Sequence, residues 1–460
     1  MHILEQVMAW YPNKRLYRRP SSKSGQDIIS VYTSTAPCPV YSHAEWYADD
    51  WVSPSLLVDE RKPFFDQFTD LQKIAPVVAL LSNKQENAEY CHDVDRLKNC
   101  YLVFDAINCE DVYYSVRIYH SRSCIDCYWV MDSELLYDCV YVFSSYHSRY
   151  SFNCRGIIDS TFLFNCHNTR DSFMSSNLRN KQYYIRNKPY SKAAYEDFMR
   201  TLDLADPAVV AELKQEFRDQ LLPSTPIPPA WLERTEDVQG NYLRSAHHVQ
   251  DGLESFEVDN CQTIFQCGQG KDITSSFMCN ENVERCHQSV ATGINTFNAS
   301  NCAFVWNSSN IEYSYLMMNS KDCFGCIGLR NKQYHILNKP YSKEEYTITK
   351  QRLIEAMQQR GEYGQFFPVA LSPFPYEDTI AYDFFSDAPV APPMKLNLIP
   401  QEKAFYTQQR IPEPTLAFPD RYRQRLDLMD TSFTPNGGTY YKHPQTKHIV
   451  PYQHYLDSLK

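Results

Sequence analysis

Between residues 74 and 190, short apolar and aromatic runs alternate with Asn, Asp, Ser and Cys, as in Tyr113-Tyr114-Ser115-Val116-Arg117-Ile118. No stretch there keeps the spacing of an amphipathic helix, so the pattern predicts strand, turn and strand again. The pattern also recurs. Tyr101-Leu102-Val103-Phe104-Asp105 matches Tyr128-Trp129-Val130-Met131-Asp132, and Tyr119-His120-Ser121-Arg122 matches Tyr146-His147-Ser148-Arg149, both at an offset of 27. Cys100, Cys127 and Cys154 keep the same step, while Cys91, Cys100 and Cys109 are spaced by 9, a third of it. A β-rich repeat of fixed period predicts a parallel β-solenoid (a β-helix-like stack) with three short faces per turn. Cys100, Cys127 and Cys154 would then stack inside, and Asp105, Asp132 and Asp159 at a corner. An antiparallel meander would not require such strict spacing.

A longer duplication sets the domain organisation. Leu178-Arg179-Asn180-Lys181-Gln182-Tyr183, continuing through Asn187-Lys188-Pro189-Tyr190-Ser191-Lys192, returns from Leu329 to Lys343, 151 positions later. Each copy closes a cysteine-dotted segment, which makes two homologous modules in tandem. The second is looser: Cys261, Cys267, Cys279 and Cys286 are irregularly spaced, and Asn301-Cys302 and Asp322-Cys323 stand 21 apart. A helix should follow each copy. Ser342 with Glu345 has the capping-box pattern for a helix reaching Gln359, and Pro207 suits the first turn of a helix reaching Leu222. Residues 223–229 and 388–393 are proline-rich and extended. The resulting map is an N-terminal segment 1–73, a first solenoid module 74–190, helix and linker 191–238, a second module 239–341, helix and linker 342–395, and a C-terminal segment 396–460. Open ends of such modules need covering, and the helices and terminal segments are the natural caps.

Composition narrows the function classes. The 460 residues carry a net charge of −10, which disfavours a general phosphate-binding surface and with it a nucleic-acid partner. Thirty-four Tyr suit β structure, stacking on sugars and protein contacts. The start of the chain has no basic region followed by an apolar stretch, and no apolar run is long enough to span a bilayer. The default expectation is a cytoplasmic protein without membrane insertion, with a virion or cell surface left open. A chain of this size does not need disulfide staples, so the 16 Cys read as reduced, buried thiols. Gly-rich phosphate loops, Gly-x-Ser-x-Gly and His-Glu-x-x-His are all missing, and 13 Gly leave little room for a nucleotide cradle.

Cys323-Phe324-Gly325-Cys326, the Leu329–Tyr334 phrase, Gly361-Glu362-Tyr363-Gly364 and Ser372-Pro373-Phe374 together resemble an uncharacterised family of cysteine-rich, zinc-ribbon-flanked repeat proteins from uncultured small-genome bacteria. Ser30-Val31-Tyr32 and Val40-Tyr41-Ser42 fit the first ribbon of that family. The resemblance implies a zinc ribbon at each end. This chain departs from it at the ligand positions: Ser21 and Ser24, then Ser42 and Glu45, stand where the first ribbon has cysteine pairs, and Phe418 with Arg421, then Tyr452 with Tyr455, where the last one has them. Hydroxyls do not replace thiolates in a tetrahedral zinc site at neutral pH, so both ribbons are expected to be degenerate and metal-free.

The candidate chemistry is modest. Cys124-x-x-Cys127 and Cys323-x-x-Cys326 could each hold metal or act as a redox pair, but their place in strand–turn repeats favours a buried cysteine ladder. His120 and His147, with Arg122 and Arg149 beside them, could form a binding face. Asp105, Asp132 and Asp159 could hold calcium or act as acid and base on a polysaccharide, although turn aspartates more often bond their own backbone. The leading expectation is a non-enzymatic structural or interaction scaffold that self-associates or binds another protein, without a cofactor, using Tyr119, His120, Arg122, Tyr146, His147 and Arg149. A carbohydrate-active or glycan-binding β-helix using the three aspartates, with Tyr side chains or Trp129 as sugar platforms, is the alternative. A zinc-dependent nucleic-acid-associated module is the second.

Overall fold

The computed structural model describes residues 3–271, 274–284, 290–292, 296–386, 396, 398–429 and 448–459. The fold is mainly β and falls into two compact units. One gathers residues 3–80 with 230–386; the other gathers 81–229 with 398–429 and 448–459. The N-terminal segment therefore packs with the second strand region, and the C-terminal segment with the first. No helix among the described residues is long and apolar enough to cross a membrane.

The unit starting at Leu81 is built on a 14-stranded sheet whose strands, mostly four residues long, pair in parallel with the strand twelve residues before and after. Tyr128 pairs with Val116 and Val140, and Glu134 with Arg122 and Tyr146. This corrects the expected stacking. Cys154 lies beside Val142, Cys100 beside Ala88, and the amide of Cys127 bonds Ser115. Cys100, Cys127 and Cys154 are not neighbours, and neither are Asp105, Asp132 and Asp159. The reason is arithmetic: 27 and 9 are multiples of three but not of twelve, so they preserve which way a residue faces and change the column it occupies.

Three is the local unit. Every third residue sits in the left-handed region: Asp126, Trp129, Asp132, Leu135 and Asp138 have φ of 57°, 50°, 51°, 56° and 51°. That conformation costs an L-residue about 1–2 kcal/mol and is worst for β-branched side chains. Among the described residues it is occupied by Asn, Asp, Tyr and other types not branched at Cβ, and never by Val, Ile or Thr. The chain thus turns every three residues with very little glycine.

The residue after each corner points inward. Cys100, Val103, Ala106, Cys109 and Val112 are all buried, as are Cys124, Cys127, Val130, Leu136, Cys139 and Val142. So few inward side chains per row leave a narrow core, filled by small and aliphatic groups, with one aromatic side chain, Tyr184 of the last parallel strand, packed against it. Inward serines complete the backbone bonding. The Ser115 hydroxyl donates to the Tyr113 carbonyl (2.8 Å) and accepts from the Cys127 amide (3.0 Å), and Ser121, Ser133 and Ser145 accept in turn from the amides of Ser133, Ser145 and Ile157, each at 3.1 Å. Thiols do the same at longer reach: Cys109 Sγ lies 3.3 Å from the Ile107 carbonyl and 3.2 Å from that of Ile118.

The duplicated phrase ends each stack. Gln182–Ile185 is the last parallel strand, after which Arg186 and Asn187 (φ 46° and 58°) reverse the chain so that Lys188–Pro189 pairs antiparallel with it. Leu337 and Asn338 (φ 48° and 65°) repeat this before Lys339–Pro340. The Asn side chains satisfy the edge: Asn187 accepts from the Ser176 amide (2.8 Å), while Asn338 accepts from the Ile327 amide and donates to the Ile327 carbonyl, both at 2.9 Å. The expected helices follow at Lys192–Thr201, capped by Ser191, and at Lys343–Gln359, where the Ser342/Glu345 capping box is formed. The proline-started helix spans Pro207–Glu216 and continues as a π-helix, Phe217–Leu221.

The other unit carries a 12-stranded sheet with the same parallel pairing. Its register is 12 at Ser309↔Lys321 but 13 at Val290↔Ala303 and 11 at Leu232↔Leu243. Cys267 and Cys279 pair in a register of 12, and Cys286 lies outside the described residues.

Candidate functional site

In the unit starting at Leu81, two outward columns run side by side. Arg96, Asn108, His120, Asp132 and Ser144 occupy left-handed corners twelve residues apart; Lys98, Glu110, Arg122, Glu134 and Tyr146 occupy the extended positions two residues later. Between them lies an open groove of about 910 Å³, floored by Cys109, Ser121, Ser133 and Ser145. Opposite charges alternate along it. Lys98 Nζ is 3.0 Å from Glu110, Arg122 is 2.8 Å from Glu134, His120 Nδ1 is 3.9 Å from Asp132, and the Arg96 guanidinium donates to Asn108. Glu134 holds the Arg122 guanidinium above its ordinary pKa, and Glu110 does the same for Lys98.

Four of the nine outward candidates meet in this groove: His120, Arg122, Asp132 and Tyr146, the last with 44% of its surface exposed. His147 is on the next corner column, 2.7 Å from Asp159. Tyr119 and Arg149 do not join them. Tyr119 is buried with its hydroxyl donating to Asp105 (2.7 Å), and burial lowers the pKa of Arg149. Asp105 is itself buried 3.6 Å from Arg117, so it is neither a solvent-reaching acid nor a partner of Asp132. Trp129, considered as a sugar platform, is buried against Tyr141 and Phe143.

The cysteine pairs are core. Cys124, Cys127, Cys323 and Cys326 are buried, with thiols directed at the carbonyls of Arg122, Ile125, Lys321 and Phe324 at 3.3–3.4 Å. Burial pushes Cys100 and Cys109, in the same core, up to about 12, which keeps these two as thiols. Among the described residues no group of three or more His, Cys, Asp or Glu is placed to hold a metal ion.

Two polar clusters carry more structural weight than the sequence signalled. The helix Phe418–Leu426 inserts Arg421 and Arg425 against the strands. Both guanidinium groups reach Asp126, Arg425 at 2.7 Å; Arg425 also reaches Asp138 at 3.1 Å, and Lys214 reaches Asp138 at 2.5 Å. Burial pushes the Asp138 pKa up, but Lys214 and Arg425 outweigh it and hold it at about 2. Glu402 is fully buried 3.6 Å from Arg421 and accepts from the Tyr406 hydroxyl at 2.6 Å. Phe418, in the same helix, stacks on Phe104. The paired charges are scattered between residues 126 and 425, so no local motif announces them.

The second cluster is at Ser21, Ser24, Ser42 and Glu45, which do come together. The Glu45 carboxylate accepts from the Ser21 hydroxyl (2.5 Å), the Ser42 amide (2.8 Å) and the Ser24 hydroxyl. These bonds overcome the upward push of burial and hold its pKa at about 2. The positions matching the last ribbon separate: Arg421 is on Asp126, while Tyr455 bonds Asn165 (3.0 Å) and Arg179 (3.1 Å). Arg330, the repeat counterpart of Arg179, donates to the Tyr47 and Ala48 carbonyls and lies over the rings of Trp46 and Tyr47 at 5.0 and 4.9 Å. The duplicated arginine thus binds a terminal segment in each unit. No protein-family model matches the chain, and a search of curated proteins finds no match either.

Proposed function

We propose that the chain is a non-enzymatic scaffold built on two β-solenoid stacks, with twelve-residue turns throughout the one starting at Leu81. It presents the groove between the Arg96–Ser144 and Lys98–Tyr146 columns to another protein or to a second copy. The observation that carries this reading is the uniform parallel register of 12, which places like positions one above another and turns a short sequence into a long, regular face. The groove suits a protein surface: alternating charges set register and an exposed Tyr146 offers an anchor. The carbohydrate reading has less support, since Asp105 is ion-paired and both it and Trp129 are buried.

The test is light scattering over a concentration series, with negative-stain images, on the wild type, Arg122→Glu with Tyr146→Glu, and Asp132→Asn. Ordered assemblies that the double variant disperses and Asp132→Asn preserves support a self-associating scaffold. A monomer at every concentration removes self-association and leaves a separate partner protein. Polysaccharide cleavage that Asp132→Asn abolishes would overturn the scaffold reading altogether.

A further inference from the structure

The stack starting at Leu81 has one closed end and one open end, and the open end has a defined chemistry. The strand Glu86–Glu89 pairs with the following row, Glu86 with Lys98 and Ala88 with Cys100, and among the described residues no strand pairs with its other side. Rows further along show which groups are left over. There the Asp111 amide donates back to the Lys98 carbonyl (3.0 Å), and the Val112 carbonyl accepts from the preceding row's Tyr101 amide (3.1 Å). By the same pattern the amide of Asn87 and the carbonyls of Gln85 and Ala88 face the open side. Gln85, Glu86, Asn87 and Glu89 are solvent-exposed.

The side chains specify the occupant. Glu86, Lys98, Glu110, Arg122 and Glu134 form one column of alternating sign, with Lys98 3.0 Å from Glu110 and Arg122 2.8 Å from Glu134, and it ends at the open edge on an acid. Glu89 adds a second acid on the same strand. We propose that this edge accepts a cationic extended segment of another protein as an added parallel strand, with Lys or Arg over Glu86 and over Glu89 and small side chains over Gln85 and Ala88. A second copy does not fit. The far end of its stack is closed by the hairpin at Lys188–Pro189, and edge against edge would bring four glutamates together. This surface is distinct from the groove, so it stands whether or not the groove binds anything.

The probe is fluorescein-labelled Asn-Asp-Ser-Lys-Asn-Val-Lys-Tyr-Ser, whose lysines fall over Glu86 and Glu89, titrated with the full chain and read by anisotropy. Saturable binding is expected. Glu86→Lys with Glu89→Lys should weaken it at least about tenfold, and N-methylation of the two lysine amides, which would donate to Gln85 and Ala88, should weaken it by about tenfold. The peptide with both lysines changed to glutamate should bind the double variant better than it binds the wild type, which separates lost contact from lost fold. No saturation, equal binding to wild type and variant, or indifference to N-methylation would each overturn the proposal. So would a mass doubling of the protein alone that the double variant abolishes, because the edge would then belong to a second copy.

Discussion

Replacing Arg425 by Met removes the centre of the buried ion cluster while keeping most of the side-chain volume. Arg425 has 4% of its side chain exposed and serves two carboxylates, Asp126 at 2.7 Å and Asp138 at 3.1 Å. Removing one partner of a buried pair costs about 3–5 kcal/mol, because the remaining charge is left in a poorly solvating site. Here each carboxylate retains another cation, Arg421 for Asp126 and Lys214 for Asp138, which places the loss at the lower end, about 3 kcal/mol. Native-state hydrogen exchange of peptides spanning residues 122–143 isolates this unit from the other. A loss of that size speeds exchange of the slowest amides by about a hundredfold at pH 7. The pH dependence has a definite sign. Asp138 has a folded pKa of about 2 against an ordinary 3.8, so its ion pairs stabilise the fold fully above the ordinary value and lose that contribution as pH falls towards 2. The deficit of Arg425→Met must therefore shrink between pH 5 and 3, as the relieved carboxylate takes up a proton. A change under fivefold at pH 7, or a deficit that grows on acidification, would refute the reasoning.

Three other outcomes follow from the same geometry. Asn153, at φ 54°, should tolerate Gly and lose about 1–2 kcal/mol as Val, with thermal denaturation as the readout; equal midpoints would mean that the corners carry no left-handed penalty. Ser145→Ala orphans the buried Ile157 amide and should cost about 1–3 kcal/mol, while Ser145→Cys recovers much of it, since the Cys154 thiol already accepts from the Cys166 amide at 3.4 Å. Converting Ser21, Ser24, Ser42 and Glu45 together to Cys should create a site that retains one zinc per chain by elemental analysis, because the four positions already converge on one hydrogen-bond network; a zinc-free product would show that the convergence is not tetrahedral.

The sequence alone determined the facing of residues and the punctuation of the chain. The steps of 9 and 27 between cysteines are multiples of three, and the inward side of each triplet is where those cysteines lie. The Asn-Lys-Pro-Tyr-Ser-Lys phrase with Glu345 marked the hairpin-and-helix ends, because turn and cap chemistry is local. Of the candidate surface, His120, Arg122, Asp132 and Tyr146 were legible as outward positions, but their meeting in one groove was not, nor was the burial of Tyr119 and Asp105 or the half-burial of Arg149. Tertiary structure decided the rest. A three-residue code says where the chain bends, not how many bends bring it back over itself. That number is set by how many inward side chains fill the core and by amides such as those of Cys127 and Ile157 finding acceptors one row away. A register of twelve sets the columns and ladders of the unit starting at Leu81, while the other unit also uses 11 and 13. The docking of both termini is equally non-local, since Arg179 with Tyr455 and Arg330 with Tyr47 join residues more than 270 positions apart, and only the folded chain brings them together.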